Sequence, residues 1–187
     1  MNSMDLTKSS HKYFHSFCIR PNTRFQSQGE NEVIIAMFRA HPITLLFPFL
    51  NGFVFFVFLF ISNFYFIAYL NLKEILFINF FALVLIFNYF WYNLINWFFN
   101  VGIVTNDQVV DVDFNVTLYK EVSYTRISHI EDVTAKSGGY FATLFNYGNL
   151  FIQTAGSEIN TEFMNIPYPS EAAKIINQLI EKTHNNG

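Results

Sequence analysis

Residues 43–70 read ITLLFPFLNGFVFFVFLFISNFYFIAYL, and 19 of these 28 residues are Phe, Leu, Ile or Val. No Asp, Glu, Lys or Arg occurs from Ala40 to Leu72. A core helix of a soluble protein rarely excludes charge from every face over more than about 20 residues. At about 1.5 Å per residue the stretch is longer than a hydrocarbon core about 30 Å thick. The composition therefore predicts a transmembrane helix over residues 43–70.

A second apolar stretch follows at once, over residues 75–99, where 16 of 25 residues are Phe, Leu, Ile or Val. Neither stretch alternates between apolar and polar residues, so each is expected to be a helix rather than a membrane strand. The four residues from Asn71 to Glu74 are too few for anything but a tight turn. The sequence thus predicts a transmembrane hairpin with both ends of the chain on one side of the bilayer.

The distribution of charge predicts which side that is. The arm of residues 1–42 carries five bases and three acids, whereas Lys73 is the one base of the turn. By the positive-inside rule the arm, and with it both termini, is expected in the cytoplasm. Three aromatic residues near the end of the second stretch are expected to form an interfacial belt there, namely Trp91, Tyr92 and Trp97. The short apolar run of residues 33–37 either adds a strand to the soluble domain or lies in the interface.

Asparagine residues interrupt the second apolar stretch at Asn88, Asn93 and Asn96. One interpretation is hydrogen bonding between helices, either within the chain or between two copies of it. For Asn96, and for Asn100 beyond it, a position at the wet end of the helix is an equally ordinary explanation. A polar pore is a third interpretation, and it requires oligomerisation because two helices cannot form a selectivity filter by themselves.

From residue 101 the pattern changes to strict alternation, with Val110, Val112 and Phe114 on one face and Asp111 and Asp113 on the other. This is typical of a half-buried strand. Further strands are predicted at residues 117–124, 127–135, 149–154 and 162–166, with Gly-containing turns between several of them. The spacing indicates an antiparallel sandwich or barrel over residues 101–182.

The domain is expected to end in a helix over residues 170–182. Pro167 and Pro169 stop the preceding strand, Ser170 suits an N-cap and Glu171 favours the positive end of the helix dipole. An apolar stripe recurs at helical spacing, which predicts packing onto the sheet or closure of an open barrel end. Its members are Ala172, Ile175, Ile176, Leu179 and Ile180.

Three stretches of this domain resemble bacterial pleckstrin-homology domains. Residues 104–110, VTNDQVV, look like the first hairpin of those domains, and residues 126–133, RISHIEDV, resemble their "R-I-x-x-I-x-x-V" strand with Arg126 and Ile130 at the motif positions. Residues 145–152, FNYGNLFI, are similar to their "F-x-Y-G-x-L-x-I" segment, where Tyr147 and Gly148 match.

Residues 39–42, RAHP, also look like the "R-x-H-P" motif that precedes the first span in the YdbS-like membrane group, which has the same order of parts. The resemblance covers roughly residues 30–182. It implies an α+β membrane protein: a two-helix transmembrane hairpin and a PH-like split barrel of seven strands, closed by a C-terminal helix. It further implies the plasma membrane of a bacterium as the location, and the fold is a platform rather than a chemistry.

Neither these motifs nor the residues outside them predict catalysis, a cofactor or a metal. His129 is expected to be an ordinary histidine of a strand, because a general base needs a partner and a pocket. His11 and His15 have helical spacing for a shared metal but lack a third ligand nearby. Glu131 and Asp132 are adjacent in a predicted strand and should point to opposite faces.

Charge also excludes two classes of ligand. Residues 100–187 carry five bases and ten acids, which suits neither nucleic acid nor phosphoinositides. The first hairpin, Val104–Phe114, contains no Lys or Arg.

The sequence therefore predicts a membrane-anchored PH-like binding or scaffolding protein at the cytoplasmic face, without enzymatic activity. Its expected partners are the lipid bilayer and either another protein or a second copy of the chain. The alternative is a subunit of an oligomeric membrane transport or envelope-assembly complex, in which the Asn-bearing helices form a polar path or a lateral interface.

Overall fold

A computed structural model describes residues 15–21, 24–25, 28–115, 119–155 and 161–185. The chain forms two compact units. The β unit comprises the residues up to His41 and those from Phe98 onward, and the helical unit comprises Pro42–Trp97. In chain order the elements are β1 (Phe17–Ile19), β2 (Ile34–Phe38), a 3₁₀ turn (Pro42–Leu45), α1 (Leu46–Phe66), α2 (Leu72–Phe99), β3 (Val101–Thr105), β4 (Gln108–Asn115), β5 (Tyr119–Arg126), a second 3₁₀ turn (Ile127–His129), β6 (Ile130–Lys136), α3 (Tyr140–Phe145), β7 (Tyr147–Thr154), β8 (Thr161–Pro167) and α4 (Pro169–Asn185).

The first apolar helix begins as a 3₁₀ turn and continues as α1, which ends at Phe66 rather than at residue 70. Pro48 is the third residue of α1, where a backbone N–H has no intrahelical acceptor, so the proline costs no hydrogen bond. The chain turns over residues 67–70, and this is where the hairpin reverses.

The second apolar helix begins at Leu72, three residues before the expected start at 75. The Asn71 N–H donates to Oε2 of Glu74 at 2.8 Å, and the Ile75 N–H donates to the Asn71 carbonyl at 3.0 Å. Glu74 thus satisfies a backbone donor at the N-terminus of α2, as the glutamate of a capping box does. Residues 71–74, expected to be the turn itself, are the start of the helix for this reason.

The strands of the β unit form two antiparallel sheets. Five strands lie in the order β1-β2-β3-β4-β5, and three lie in the order β6-β7-β8. Within the described residues there are therefore eight strands in two sheets, and these sheets do not join into a closed barrel. The prediction of an antiparallel β-rich domain with a C-terminal helix agrees with the structure, whereas the split barrel of seven strands that the resemblance implied is not confirmed.

The difference arises because the segment before the helices contributes two strands. β2 pairs with β3, with Phe38 opposite Gly102 and Met37 opposite Ile103, and β1 pairs with β2. The apolar run of residues 33–37 therefore adds a strand to the sheet, which was one of the two interpretations of that run. Residues 1–42 were expected to be a polar arm, but the strands β1 and β2 of this segment belong to the β unit.

The core lies on both faces of the five-stranded sheet. Adjacent residues serve opposite faces: Val104 and Val109 pack in the larger cluster, and Ile103 and Val110 pack in the smaller one. The larger cluster also contains side chains of the second sheet and of α4, among them Leu150, Ile152, Phe163, Ala172 and Ile176. The smaller cluster covers the other face and includes Cys18, Ile34 and Met37.

Helix α4 packs against β6 and β7, in line with the predicted apolar stripe. It begins at Pro169 and reaches Asn185, so it is longer than residues 170–182. Ser170 is the second residue of the helix and not its N-cap. The preceding residue, Tyr168, has a left-handed backbone (φ 50°), and its carbonyl accepts the N–H groups of Glu171 and Ala172.

Contacts between the sheets include a hydrogen bond and a close ring packing. The Thr125 and Thr161 hydroxyls form a buried hydrogen bond of 3.1 Å between β5 and β8. The Phe163 ring packs so closely against Gly102 that a Cβ there would lie 2.4 Å from its Cε1 atom. Glycine is needed at position 102 because the sheets meet at this point.

Candidate functional site

The residue that precedes the first apolar helix, His41, is held by the three-stranded sheet. Its backbone N–H donates to the Asn165 carbonyl at 2.7 Å. Its ring stacks on that of Tyr147, with centroids 5.7 Å apart and an angle of 23°, and lies 6.4 Å from the Phe145 ring. Two of the motifs singled out in the sequence, residues 39–42 and 145–152, therefore meet in space.

Local backbone geometry brings Tyr147 to this position. Helix α3 ends at Phe145, and Asn146 takes a left-handed conformation (φ 52°) that asparagine tolerates. The Asn146 carbonyl accepts the Tyr168 N–H at 2.9 Å. At Gly148 a Cβ would lie 2.5 Å from the Lys136 carbonyl oxygen, so only glycine allows β6 and β7 to approach here.

Arg39, two residues before His41, contacts Phe98, the residue at which the chain re-enters the β unit. Its guanidinium lies 4.6 Å from the centroid of the Phe98 ring, a cation–π contact. Its backbone N–H donates to the Ser16 carbonyl at 2.8 Å. Burial lowers the pKa of Arg39, but an arginine side chain stays charged in proteins. We call Arg39, His41, Phe98 and Tyr147 the junction cluster.

The end of α2 has a second attachment. The Phe99 ring packs on the Phe114 ring with centroids 5.1 Å apart, and the Asn100 side-chain oxygen accepts the Phe114 N–H. Within the β unit, the last residue before the helices, His41, and the residues at the end of α2, Phe99 and Asn100, thus all contact strands.

Burial also perturbs His41. Desolvation lowers the pKa of its imidazole, because a charged ring is disfavoured away from water. At neutral pH the ring is therefore neutral, which suits its stacking on Tyr147.

Helix α3 exposes its apolar side chains. Tyr140 is 78% exposed, Leu144 61% and Phe141 57%, while Ala142 is buried and anchors the helix to the β unit. Tyr168, whose N–H is bonded to the end of α3, is also exposed. We call Tyr140, Phe141, Leu144 and Tyr168 the aromatic patch.

The turn between β3 and β4 is closed by a carboxylate from the segment before β2. Oε1 of Glu32 accepts the Thr105 hydroxyl at 2.7 Å and Nε2 of Gln108 at 3.0 Å. The Asn106 side chain accepts the Val33 N–H at 2.8 Å. A negative charge thus occupies the hairpin that already lacks basic residues, which argues against an anionic headgroup binding there.

An acidic surface lies on the next hairpin, β4–β5. Asp113 lies directly opposite Glu121 in the β4–β5 ladder. Burial raises the pKa of Asp111 to about 7, and repulsion from Asp113 and Glu121 acts in the same direction. Over the part of the chain that the structure describes, no group of three or more His, Cys, Asp or Glu residues is arranged to hold a metal ion.

The asparagines predicted to contact another helix, Asn88, Asn93 and Asn96, lie on α2 in different surroundings. Asn88 is exposed, and Nδ2 of Asn93 donates to the Tyr89 carbonyl of its own helix at 2.8 Å. Asn96 is half-buried. For these three residues a contact with a second copy stays a prediction.

The bond between α1 and α2 is instead made by Asn63 and Asn79, which sequence reasoning missed. Their side-chain amides donate to each other at 2.9 and 2.6 Å. A signal was present, because both residues lie eight positions from Asn71 and an antiparallel hairpin brings such positions together.

The aromatic residues of α2 differ among themselves. Trp91 is 51% exposed and stacks on Phe87, Tyr92 is half-buried and Trp97 is buried. The interfacial belt stays a prediction for all three residues.

The motif residues in the second half of the β unit separate into core and surface. Ile130 is buried in the larger cluster, whereas Arg126 is exposed at the end of β5 opposite Gln108. His129 lies in a 3₁₀ turn rather than in a strand, and it is exposed.

Glu131 and Asp132 are both exposed, contrary to the expectation for adjacent strand residues. The β6–β7 register shifts between Ile130 and Asp132, and this irregularity removes the alternation. His11 lies outside the described residues, and His15 is exposed.

Comparison with known proteins identifies the family. The chain matches the family described as Bacterial PH domain over residues 34–180, which is most of its length. The match begins at the first residue of β2 and includes both apolar helices as well as most of α4. No curated protein and no solved structure matches the chain. PH domains are in general binding modules, and this chain belongs to the bacterial PH-domain family.

Proposed function

We propose that this protein is a membrane-anchored binding module, in which α1 and α2 cross the bilayer as a hairpin and the PH unit binds a protein partner. The observation that carries the proposal is the exposure of large apolar side chains on the two helices. Phe58, Phe64 and Phe77 are each 71% exposed. The core helix of a soluble protein would bury such residues, so this surface needs an apolar environment.

The lengths of the helices support the anchor. Both are long and apolar enough to cross a membrane by length and composition. Residues 42–66, with four residues in 3₁₀ and 21 in α conformation, extend about 40 Å, and the 28 residues of α2 extend about 42 Å. A bilayer including its headgroup regions is about 40–45 Å thick.

The surface between the helices has the same character. A groove of about 670 Å³ lies within the helical unit, open on one side and lined almost entirely by apolar side chains. Acyl chains would complement such a groove, whereas water would not. Residues lining it include Phe55, Phe58, Leu59, Phe66, Leu85 and Ile86.

The excess of bases before the first helix supports a cytoplasmic position for the PH unit. The Arg39–Pro42 motif supports membership in the YdbS-like group. A protein ligand is favoured over a phosphoinositide because Glu32 closes the first hairpin and the unit as a whole is acidic. Nothing in the described site supplies a nucleophile with a general base, so a binding role is preferred to catalysis.

Topology reporters test the anchor. Fusions of a cytoplasm-active and a periplasm-active reporter at the C-terminus and after Lys73 should give opposite signals at the two positions. A matched control replaces Val84, in the middle of α2, with Arg. Because a central arginine costs about 2.5–3.5 kcal/mol of insertion and α1 is unchanged, the variant should stay in the membrane fraction while part of its C-terminal signal moves from the cytoplasm-active to the periplasm-active reporter. Wild-type protein that stays folded in the supernatant without detergent would contradict the anchor.

A second candidate function, as a subunit of an oligomeric membrane complex, is favoured by Asn88. Its amide is exposed on α2, 11 residues or about 16 Å from the end of the helix at Phe99. An amide facing hydrocarbon is unfavourable, and a second copy could satisfy it. Asn88→Leu should then reduce crosslinked oligomer in membranes, while Asn93→Leu, whose amide bonds its own helix, should not. Equal oligomer in all three proteins would argue against this function.

A further inference from the structure

The aromatic patch is an apolar surface on an otherwise polar and acidic unit. Helix α3 has six residues, and Tyr140, Phe141 and Leu144 are all more than half exposed. Contiguous exposed apolar side chains on a folded domain mark a surface that is covered in use.

The position of α3 indicates what covers it. The Phe145 ring at its end lies 6.4 Å from the His41 ring, and His41 is bonded directly to Pro42, where the first apolar helix begins. Because that helix extends about 40 Å, its ends reach the headgroup regions of a bilayer about 40–45 Å thick. His41, and α3 beside it, therefore lie at the level of the headgroups.

The charge of the surrounding sequence is complementary to a lipid surface. Residues 100–187 carry ten acids, yet none lies from Val133 to Ser157, the stretch that contains α3. The one charged residue of that stretch is Lys136, whose ammonium lies 4.9 Å from the centroid of the Phe151 ring. An anionic membrane would repel the rest of the acidic unit but not this part.

We propose that α3 is a second membrane contact, in which Tyr140, Phe141 and Leu144 insert into the headgroup region of the bilayer at the level of His41. Tyrosine and other amphipathic or apolar side chains are favoured at this depth. The contact fixes the face that the PH unit turns to the membrane. This inference rests on the proposed membrane anchor.

Site-specific fluorescence in vesicles tests the contact. The full-length protein is labelled with an environment-sensitive fluorophore at Leu144→Cys or Phe141→Cys and reconstituted in vesicles of phosphatidylethanolamine and phosphatidylglycerol. The native cysteine, Cys18, is fully buried, and its background labelling is measured on the wild-type protein. Quenching is compared for lipids with a nitroxide in the headgroup, lipids with a nitroxide deep in the chain, and iodide in the water.

Two matched positions serve as controls. Gln153→Cys is exposed on β7, six residues or about 20 Å along the strand from Tyr147, and reports the water-facing side of the same unit. Val84→Cys, in the middle of α2, reports the anchor itself. Circular dichroism verifies that all labelled proteins are folded.

The expected result is quenching by headgroup nitroxide several times stronger at positions 141 and 144 than at position 153. Quenching of position 144 by iodide as strong as at position 153, with Val84→Cys still quenched from the chain region, would overturn the contact and leave the anchor intact. Protection of position 144 from both quenchers would also overturn it, because a protein would then cover the patch. Absence of lipid quenching at position 84 would overturn the anchor, and the contact with it.

Discussion

Asn63 and Asn79 form a closed pair of hydrogen bonds between the two apolar helices. Nδ2 of each residue donates to Oδ1 of the other, at 2.9 and 2.6 Å. The second hydrogen of each amide goes to a carbonyl of its own helix, Leu59 at 2.7 Å and Ile75 at 2.8 Å. All four amide hydrogens are therefore used, which allows two asparagines to lie in an otherwise apolar hairpin.

Removing one member of this pair should cost more than removing both. Asn63→Leu leaves Asn79 without its partner, whereas Asn63→Leu with Asn79→Leu leaves no unpaired amide. We expect a coupling energy of about 0.6–1.7 kcal/mol between the two positions, the range found for such bonds in membranes. Unfolding of the hairpin in mixed micelles measures it, with Asn93→Leu as control. Strictly additive effects would contradict the pairing.

The contact of Arg39 with Phe98 should depend on the shape of the guanidinium and not on charge alone. Arg39→Lys retains the charge but loses the planar stacking group, so the β unit should lose stability. A double-mutant cycle with Phe98→Leu should give a coupling of about 0.5–2 kcal/mol. If Arg39→Lys has the same effect with leucine at position 98 as with phenylalanine, the contact contributes nothing.

Three glycines should respond differently to alanine. Gly148→Ala places a Cβ against the Lys136 carbonyl and Gly102→Ala places one against the Phe163 ring, whereas at Gly138 nothing lies within 4 Å. We expect the first two to destabilise the protein by about 1–3 kcal/mol and the third to be nearly neutral.

A second substitution distinguishes the causes of the stability loss in Gly102→Ala and Gly148→Ala. Phe163→Leu removes the ring that clashes at position 102, so its effect should be partly offset in Gly102→Ala but not in Gly148→Ala, where the clash is with backbone. Thermal unfolding of the purified wild type and of the six variants, namely the three glycine variants, Phe163→Leu and its two combinations, measures these effects. A loss at Gly138→Ala as large as at the other two would contradict the geometry.

Asp111 should make stability fall as the pH rises towards neutrality. Burial raises its pKa to about 7, above the ordinary value of 3.8, so between these two pH values the folded protein binds the proton more tightly than the unfolded chain does. The stabilisation is complete below about pH 4 and is lost as the pH rises through 7. Asp111→Asn should remove this slope and stabilise the protein above pH 7 by on the order of 1–2 kcal/mol, allowing for solvent screening. Identical pH profiles of both proteins would exclude the effect.

His41 should act in the opposite direction. Burial lowers its pKa below the ordinary value of 6.5, so the unfolded chain binds this proton more readily. Its contribution is fully present above pH 6.5 and is lost as the pH falls through the lowered pKa. His41→Phe retains a ring next to Tyr147 without a titrating group, and should be less sensitive to acid than the wild type in unfolding between pH 4 and 7. An unchanged acid limb would show that His41 does not titrate on unfolding.

Much of the architecture was readable from local patterns. The charge-free runs predicted both apolar helices, alternation around Val110 predicted β4, and the apolar stripe from Ala172 predicted α4. The ends of the helices were less accurate, because Glu74 caps α2 through a side chain and Tyr168 precedes α4 with a left-handed backbone. Neither the side-chain cap nor the left-handed residue changes the pattern of apolar residues from which the helix ends were predicted.

The candidate site was harder to predict from the sequence than the fold. Residues 39–42 and 145–152 were identified as separate motifs, but nothing in either motif indicates that His41 stacks on Tyr147. Asn88 was chosen for its depth in the second helix, while the bond between the helices is made by Asn63 and Asn79. Depth can be counted along one helix, whereas contact depends on the faces that two helices turn to each other.

The sequence by itself determined where the chain is apolar on all sides, where it alternates, and that the PH unit is acidic. These are properties of neighbouring residues, and hydrophobic burial acts on them wherever the chain goes. Only the tertiary structure decided that β1 and β2 join the sheet, that the strands divide into two sheets, and that the end of α3 lies beside His41. Those outcomes depend on pairing between segments far apart in the chain, such as Phe38 with Gly102 and His41 with Asn165. Local composition does not determine which residues of two distant segments pair with each other.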